Sequence, residues 1–424
     1  MWRRCNRFKN WIDNNGLIDL GFSGPKFTWA RGLTPDSRKE ARLDRALCNN
    51  QWRVRFQEGR VRHLPQLGSD HSPLLISTEG FDGGTNAKRP FRFLVAWTTH
   101  GEFEKLVNDN WCHNQPLSNN LKELASVLGR WNTEVFGNLF SCKRRLWARI
   151  EGIQKALDAG GPWYLRKLEA RLREKLSSVL DHIESLWFQK ARVEQIRDGD
   201  RNTKFFHTST IIRRRFNRIE SLKDSNDEWQ NDPAIVKGMV VDHFQKLFSE
   251  ECVDTSHRRP RSVEFPMIAP EVVQELERPL TEADVLFALK GMQPLKAPGP
   301  EGFQAFFFQK YWRIVGGKVC NTVLQVLSGH GLASELNETF ITLIPKVSHP
   351  ERVQQFRPIG LCNVAYKLIT KCIVNRLKGV LPHVISPMQS SFVPGRQITD
   401  NIVVMQELLH SMSCLLYTSD AADE

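Results

Sequence analysis

At 424 residues the chain has room for two or three domains of ordinary size, and its 41% hydrophobic and 25% charged content excludes a wholly disordered protein. Its 59 Lys and Arg against 47 Asp and Glu leave a formal charge of +12, which favours polyanionic partners, nucleic acid or an anionic surface. No apolar run reaches the roughly 18 residues of a membrane span, the opening MWRRCNRFKNWIDNN lacks a signal-peptide core, and nine scattered cysteines without a Cys-x-x-Cys pair fit free thiols rather than a disulfide framework or zinc site.

Residues 1–80 carry short apolar runs broken by Gly and Pro (GLIDLGFSGPKFTW, then SPLLI), which predicts strands joined by turns. FDGGTNAKRP at 81–90 reads as a linker, and 91–250 is mostly helical in pattern. Leu165, Leu168, Leu172, Leu176, Leu180, Ile183 and Leu186 recur at steps of three and four, on one helix face. Before the break DAGGP at 158–162, Leu146, Ile150, Ile153 and Leu157 keep a similar period, so a long antiparallel helical hairpin is predicted. Glu169 and Arg173, four apart, add small support. Residues 251–275 are polar with prolines, and 276–412 mix helix and strand patterns. The final LLYTSDAADE fits nothing before it and resembles translated adapter or vector sequence; 413–424 is set aside as a non-native tail, with a natural tail as the alternative. The class expected is α+β.

The motif GSDHSPLL at 68–75 sets Asp70 beside His71. Alone, the pair is more simply a turn acid and a strand-end histidine. With GPKFTW at 24–29 and ARLDRAL at 41–47, it resembles the C-terminal part of the endonuclease/exonuclease/phosphatase family, most closely the endonuclease of LINE-type non-LTR retrotransposons, plant ones especially. The resemblance implies that Thr28 contacts a phosphate, Asp44 orients the site, Asp70 pairs with His71, and His71 is the catalytic histidine. Such hydrolysis uses Mg²⁺ held by carboxylates. The family's metal-binding Glu, an Asn and an Asp-x-Asn pair would precede residue 1, and the adjacent Asp13 and Asn14 do not replace them. The expectation is a C-terminal fragment of a four-layer α/β-sandwich without nuclease activity.

DGDRNTKFFHTSTIIRRRFNRI at 198–219 has six Lys or Arg and no acid between Arg201 and Arg218. Arg201, Lys204, Phe205, Phe206, Arg213, Arg214 and Arg215 together predict a strip that neutralises phosphates and stacks on bases. A solvated helix end with two buried phenylalanines is an equal reading. The string GDRNTKFFH resembles the connector of plant LINE proteins. Lys143, Arg144 and Arg145 read as surface.

In LTEADVLFALKGMQPLKAPGPEGFQAFFFQKYW at 280–312, Thr281 starts a helix and KAPGPEGF is a rigid turn launching another. TFITLIPKVSHPERVQQFRPIGL at 339–361 predicts a hairpin carrying Lys346 and Arg357, two cations suited to a triphosphate, or simply two exposed basic residues. NVAYKLITKCIVNRLKGVLPHVI follows as an amphipathic helix with Lys367, Lys371 and Arg376 facing a phosphate backbone, and then Gly395–Arg396 precede a further helix. Together these motifs, with QSSFVPGRQITDNI, resemble the fingers half of a LINE-type reverse transcriptase across 276–412. The resemblance implies that Lys346 and Arg357 hold the incoming dNTP and that Gln389, Gly395 and Arg396 lie beside template and nucleotide. Glu301 stands where that family has Asp, and Gly360 where it has Ser. Polymerisation needs paired palm carboxylates holding two Mg²⁺ ions about 4 Å apart. The chain contains no Asp-Asp dipeptide, so no metal site is complete.

The expectation is therefore a fragment of a LINE-type polyprotein: an endonuclease end at 1–80, a mostly helical basic linker at 81–275, and partial right-hand polymerase fingers with an incomplete palm at 276–412. The parent reaction implied is target-primed reverse transcription, with RNA template, DNA target and dNTP as partners, no membrane, and a nuclear location with the cytoplasm as second. The fragment itself is expected to be inactive. The alternatives are a non-catalytic RNA- or DNA-binding remnant and a pseudogene product without a stable fold. Oligomeric state stays open.

Overall fold

The computed structural model describes residues 2–32, 37–64, 66, 69–80, 90–191, 203–249, 267–331, 334–386 and 389–420. Its main core joins two stretches distant in sequence. Phe93, Trp97, Phe103 and the helix Leu117–Trp131 pack against Leu289, Phe303, Phe307, Val319 and Leu368. Leu117, Leu121, Leu124 and Leu128 are all buried at steps of three and four, the stripe a helix must bury. Aromatic rings fill the centre, Phe93 meeting Trp97 edge-on at 5.6 Å. The core thus crosses the boundary at 275 that composition suggests.

The helices Leu139–Asp158 and Tyr164–Ala191 form the expected antiparallel hairpin, sealed by Leu146, Ile150, Leu172 and Leu176. Gln154 donates to Glu169 across it at 2.8 Å, and Glu169 also takes Arg173. Asn138 caps the first helix by accepting from the Phe140 and Ser141 N–H groups.

Among the described residues the N-terminal block holds six short strands: β1 (Leu17–Asp19), β2 (Trp29–Arg31), β3 (Lys39–Ala41), β4 (Leu47–Asn49), β5 (Arg60–His63) and β6 (Leu74–Ser77). They pair antiparallel as β1 with β4, β2 with β3 and β5 with β6. Among the described residues these are three separate ladders, with single bridges at Ser23–Arg62 and Trp29–His71, not one continuous sheet. The block's own core is small, built on Leu20, Cys48 and Val61. It leans on the rest of the chain. Phe22 stacks on His63 at 4.2 Å and on His349 at 4.4 Å, and Arg215 donates to the Gly59 carbonyl at 2.7 Å.

A short pair, β7 (Leu222–Lys223) and β8 (Trp229–Gln230), precedes the helix Pro233–Phe248. The long hairpin is β9 (Thr339–Pro345) with β10 (Phe356–Cys362). Phe356 buries one face of it against Leu222, Val236 and Phe244.

The turn 295–304 ties these parts together. Gly302 has φ +80°, and a Cβ there would meet the Phe91 carbonyl oxygen at 2.3 Å. Gly299 faces Asn363 so closely that a Cβ would meet its Oδ1 at 2.5 Å. Upstream, Thr281 caps the helix Glu282–Lys290 in a reciprocal box with Asp284, as its sequence position predicts. Gly302→Ala should cost about 2 kcal/mol or more, from both φ strain and backbone collision. An unchanged urea midpoint for that variant would contradict the wedge.

Candidate nucleic-acid and nucleotide interface

In the N-terminal block the histidine's partner is not its neighbour in sequence. His71 Nδ1 lies 2.9 Å from Asp44 Oδ2, and both side chains are more than a third exposed. Asp70 instead accepts from the Trp29 indole at 2.9 Å. The expected Asp70–His71 pairing is therefore corrected. Residues 70–72 run extended along 28–30, with Ala30 N–H on the Asp70 carbonyl and Ser72 N–H on the Thr28 carbonyl. Consecutive side chains on such a segment face opposite sides. Burial raises the Asp44 carboxyl, but hydrogen bonds from His71 and Thr28, then the His71 charge, outweigh it and hold the group below the usual range. Thr28 is fully buried and its hydroxyl accepts from the Leu43 and Asp44 N–H groups at 3.0 and 2.9 Å, so it shapes the Asp44 loop.

The basic strip does not form one surface. Arg201 lies outside the described residues, and Lys204 is placed only as backbone in the helix Thr203–Phe216. Phe206 is 2% exposed and cannot stack on a base. Arg213 donates to the Ala191 carbonyl at 2.6 Å, capping the end of the preceding long helix. Arg215 serves Gly59, and burial, then the neighbouring Arg53 charge, push it down to about 10. Arg214 and Phe205 stay exposed. Backbone carbonyls thus take two of the three consecutive arginines.

The hairpin keeps its cations outward. Arg357 pairs in register with Ile344, and Lys346 N–H bonds the Gln355 carbonyl, so the ladder continues one step further. Lys346 and Arg357 therefore rise from the same face, opposite buried Phe356, and both are exposed. Lys346 Nζ donates to the Gln354 carbonyl at 2.7 Å. Arg376 and Arg396, by contrast, are engaged. Arg376 reaches the carbonyls of Leu276, Arg278 and Pro279. Arg396 gathers those of Pro382, Ile385, Ser386 and Gln389 and so folds the segment it was expected to offer to template. Gly395 has φ +82° with open space around it, and Gln389 is exposed, donating weakly to Ser391 at 3.4 Å.

Sequence reasoning missed Glu301 as a working residue. It caps the helix Val364–Leu377, its Oε1 accepting from Val364 N–H at 2.6 Å, while Oε2 is buried without a hydrogen-bond partner. Burial drives this carboxyl up to about 7 against the Val364 hydrogen bond and the Lys367 charge. Gln304 and Gln309, which pin the neighbouring turn, carry no sequence signal at all.

Among the described residues, no group of three or more His, Cys, Asp or Glu could hold a metal ion. Asp44 Oδ2 meets His71 and Asp70 Oδ2 meets the Trp29 indole, and no further described carboxylate joins them in one group. No described helix is long and apolar enough to cross a membrane.

No family model matches the chain. Over 223 residues, 53% of its length, it is 28% identical to a Xenopus laevis protein described as "Transposon TX1 uncharacterized 149 kDa protein". The chain spans 17% of that protein's length.

A double-mutant cycle on Asp44→Asn and His71→Ala at a pH where the imidazole is charged should give a stabilising coupling of roughly 0.2–1 kcal/mol, small because both groups are solvated. The same cycle with Asp70→Asn should give none, and the reverse ranking would contradict the pairing. For Glu301, a carboxyl raised from 4.5 to about 7 binds its proton more tightly in the folded state. Stability should therefore fall as pH rises through that window, by up to about 3 kcal/mol. Glu301→Gln should flatten the slope in urea titrations; equal slopes for both proteins would rule out this source.

Proposed function

We propose that this chain is a retrotransposon-encoded protein whose 276–412 block grips a nucleotide in the manner of reverse transcriptase fingers, joined by a helical connector to an endonuclease remnant. The similarity to a transposon protein supports the first part. The second rests on one observation: Lys346 and Arg357 stand together on the exposed face of a hairpin whose other face is anchored by Phe356. An ammonium and a guanidinium on adjoining strands offer a point charge and a bidentate fork, which suits the oxygens of a triphosphate. The net charge of +12 favours nucleic acid as the second partner, RNA template or DNA target.

The proposal is binding without turnover by this chain. Phosphoryl transfer by a polymerase uses carboxylates that clamp two metal ions, and nuclease chemistry of the kind expected also uses Mg²⁺. The donors described above do not assemble for either task, so no metal-dependent step is assigned to them. A protein of this kind that meets chromosomal DNA works in the nucleus, and that location belongs to the proposal.

The full chain should bind a deoxynucleoside triphosphate, and Lys346→Gln or Arg357→Gln should each weaken binding about tenfold, the worth of one charge-assisted contact. Undiminished affinity in both variants would refute the hairpin site. With primed RNA template and Mg²⁺ the same protein should add no nucleotide, and incorporation would overturn the non-catalytic reading.

A further inference from the structure

The turn at 291–297 and the helix Val364–Leu377 line a cavity of about 460 Å³. Lys296 borders it from the turn, and Lys367 and Lys371, one helical turn apart, border it from the helix. Gln293 adds a neutral donor, the Thr370 hydroxyl is already given to the Tyr366 and Lys367 carbonyls, and no carboxylate is among the cavity's lining residues. A second cavity along the same helix, about 490 Å³, differs in kind. There Glu271, Glu275 and Asp284 face Arg278 and Arg376, and Arg278 bonds Asp284 at 3.3 Å. Opposite charges meet in that cavity, whereas the first one is lined by three lysines and no acid.

The wall that carries these lysines is fixed by the protein's own bonds. Gln304, 4% exposed, donates to the Leu295 and Lys296 carbonyls at 3.1 and 3.2 Å. Gln309 donates to those of Leu289 and Met292, each at 2.9 Å. Lys367 reaches the Ala297 carbonyl at 3.3 Å, which leaves an ammonium two further protons to donate. Burial holds Lys367 below the usual lysine range, and the nearby Lys296 charge adds to that. The Glu301 carboxyl opposes both, but it is turned to the helix end at Val364 and is not among the lining residues. Three lysines lining one preset wall favour an anion, and lysines suit phosphate oxygens as point charges. The space is many times the roughly 30 Å³ share of a single water, enough for a phosphate with its attached sugar.

We propose that this cavity binds phosphate groups, carried by a single-stranded nucleic acid or by a free nucleotide. It shares no residue with the hairpin cations and does not rest on the function proposed above.

The test uses the full chain in three paired variants: Lys296→Gln with Lys371→Gln in the cavity, Lys167→Gln with Lys175→Gln on the exposed face of the helical hairpin, and Lys346→Gln with Arg357→Gln on the strands. The probes are a fluorescent single-stranded RNA oligonucleotide, titrated across salt concentrations, and inorganic tripolyphosphate. Two lost strand contacts should make the log–log salt slope shallower by about 1.4 in the cavity pair and leave it unchanged in the helical pair. If instead the cavity pair loses only tripolyphosphate affinity, by about tenfold, the phosphates come from a free nucleotide and the site stands. If both probes bind the cavity pair and the helical pair alike, the proposal is overturned. A loss confined to the strand pair would spare the hairpin reading and refute this one. Lys296→Gln alone, on the exposed turn, should still make the slope shallower by about 0.7 should the pair melt early.

Discussion

Two glycines at positions where no side chain fits hold the rest of the molecule in place. Gly302 lets the chain pass against the Phe91 carbonyl, and Gly299 lets it pass against Asn363. Asn363 in turn donates towards the Glu335 and Leu336 carbonyls and accepts from Glu301 N–H. One turn thus fastens the segment beginning the main core, the end of β10 and the start of the helix Val364–Leu377. The hairpin cations and the lysine cavity both hang from that fastening. Neither feature has a large core of its own: the hairpin borrows its geometry from the cluster of Leu222, Val236 and Phe244, and the cavity wall from the wedge and the aromatic core behind it.

Much of this was legible. The three-and-four spacing of leucines gave both arms of the helical hairpin, because a helix must bury a continuous stripe. Thr281 followed by an acid at the third position marked a helix start, and the polar loop between two strand-like runs marked β9 and β10. The histidine's true partner was harder. Asp44 is 27 residues from His71, and a contact of that span belongs to tertiary structure. A local rule did hold part of the answer: neighbours on an extended segment point apart, so Asp70 was a poor candidate from the start.

Counting charge misjudged the arginines for a different reason. Composition registers a cation but not the carbonyl that awaits it. Arg213, Arg215, Arg376 and Arg396 all end on backbone oxygens at helix ends and turns, where unsatisfied acceptors collect. Lysines 296, 367 and 371 are spread over 76 positions; the helix pattern singled out 367 and 371, and only the fold brings Lys296 beside them. What a basic protein offers to phosphate is what remains after its own backbone has been served. Such cations remain on the outward face of the β9–β10 hairpin and on the wall of the cavity beside the helix Val364–Leu377.

The central claim is that phosphate-bearing ligands meet this chain on the hairpin and the adjoining turn rather than on the N-terminal block or the connector. Photo-crosslinking of the full chain to a thiouridine-substituted single-stranded RNA, followed by peptide mapping, tests it directly. The account predicts adducts within 339–362 and 291–297. Adducts confined to 2–80 or 203–219 would contradict it.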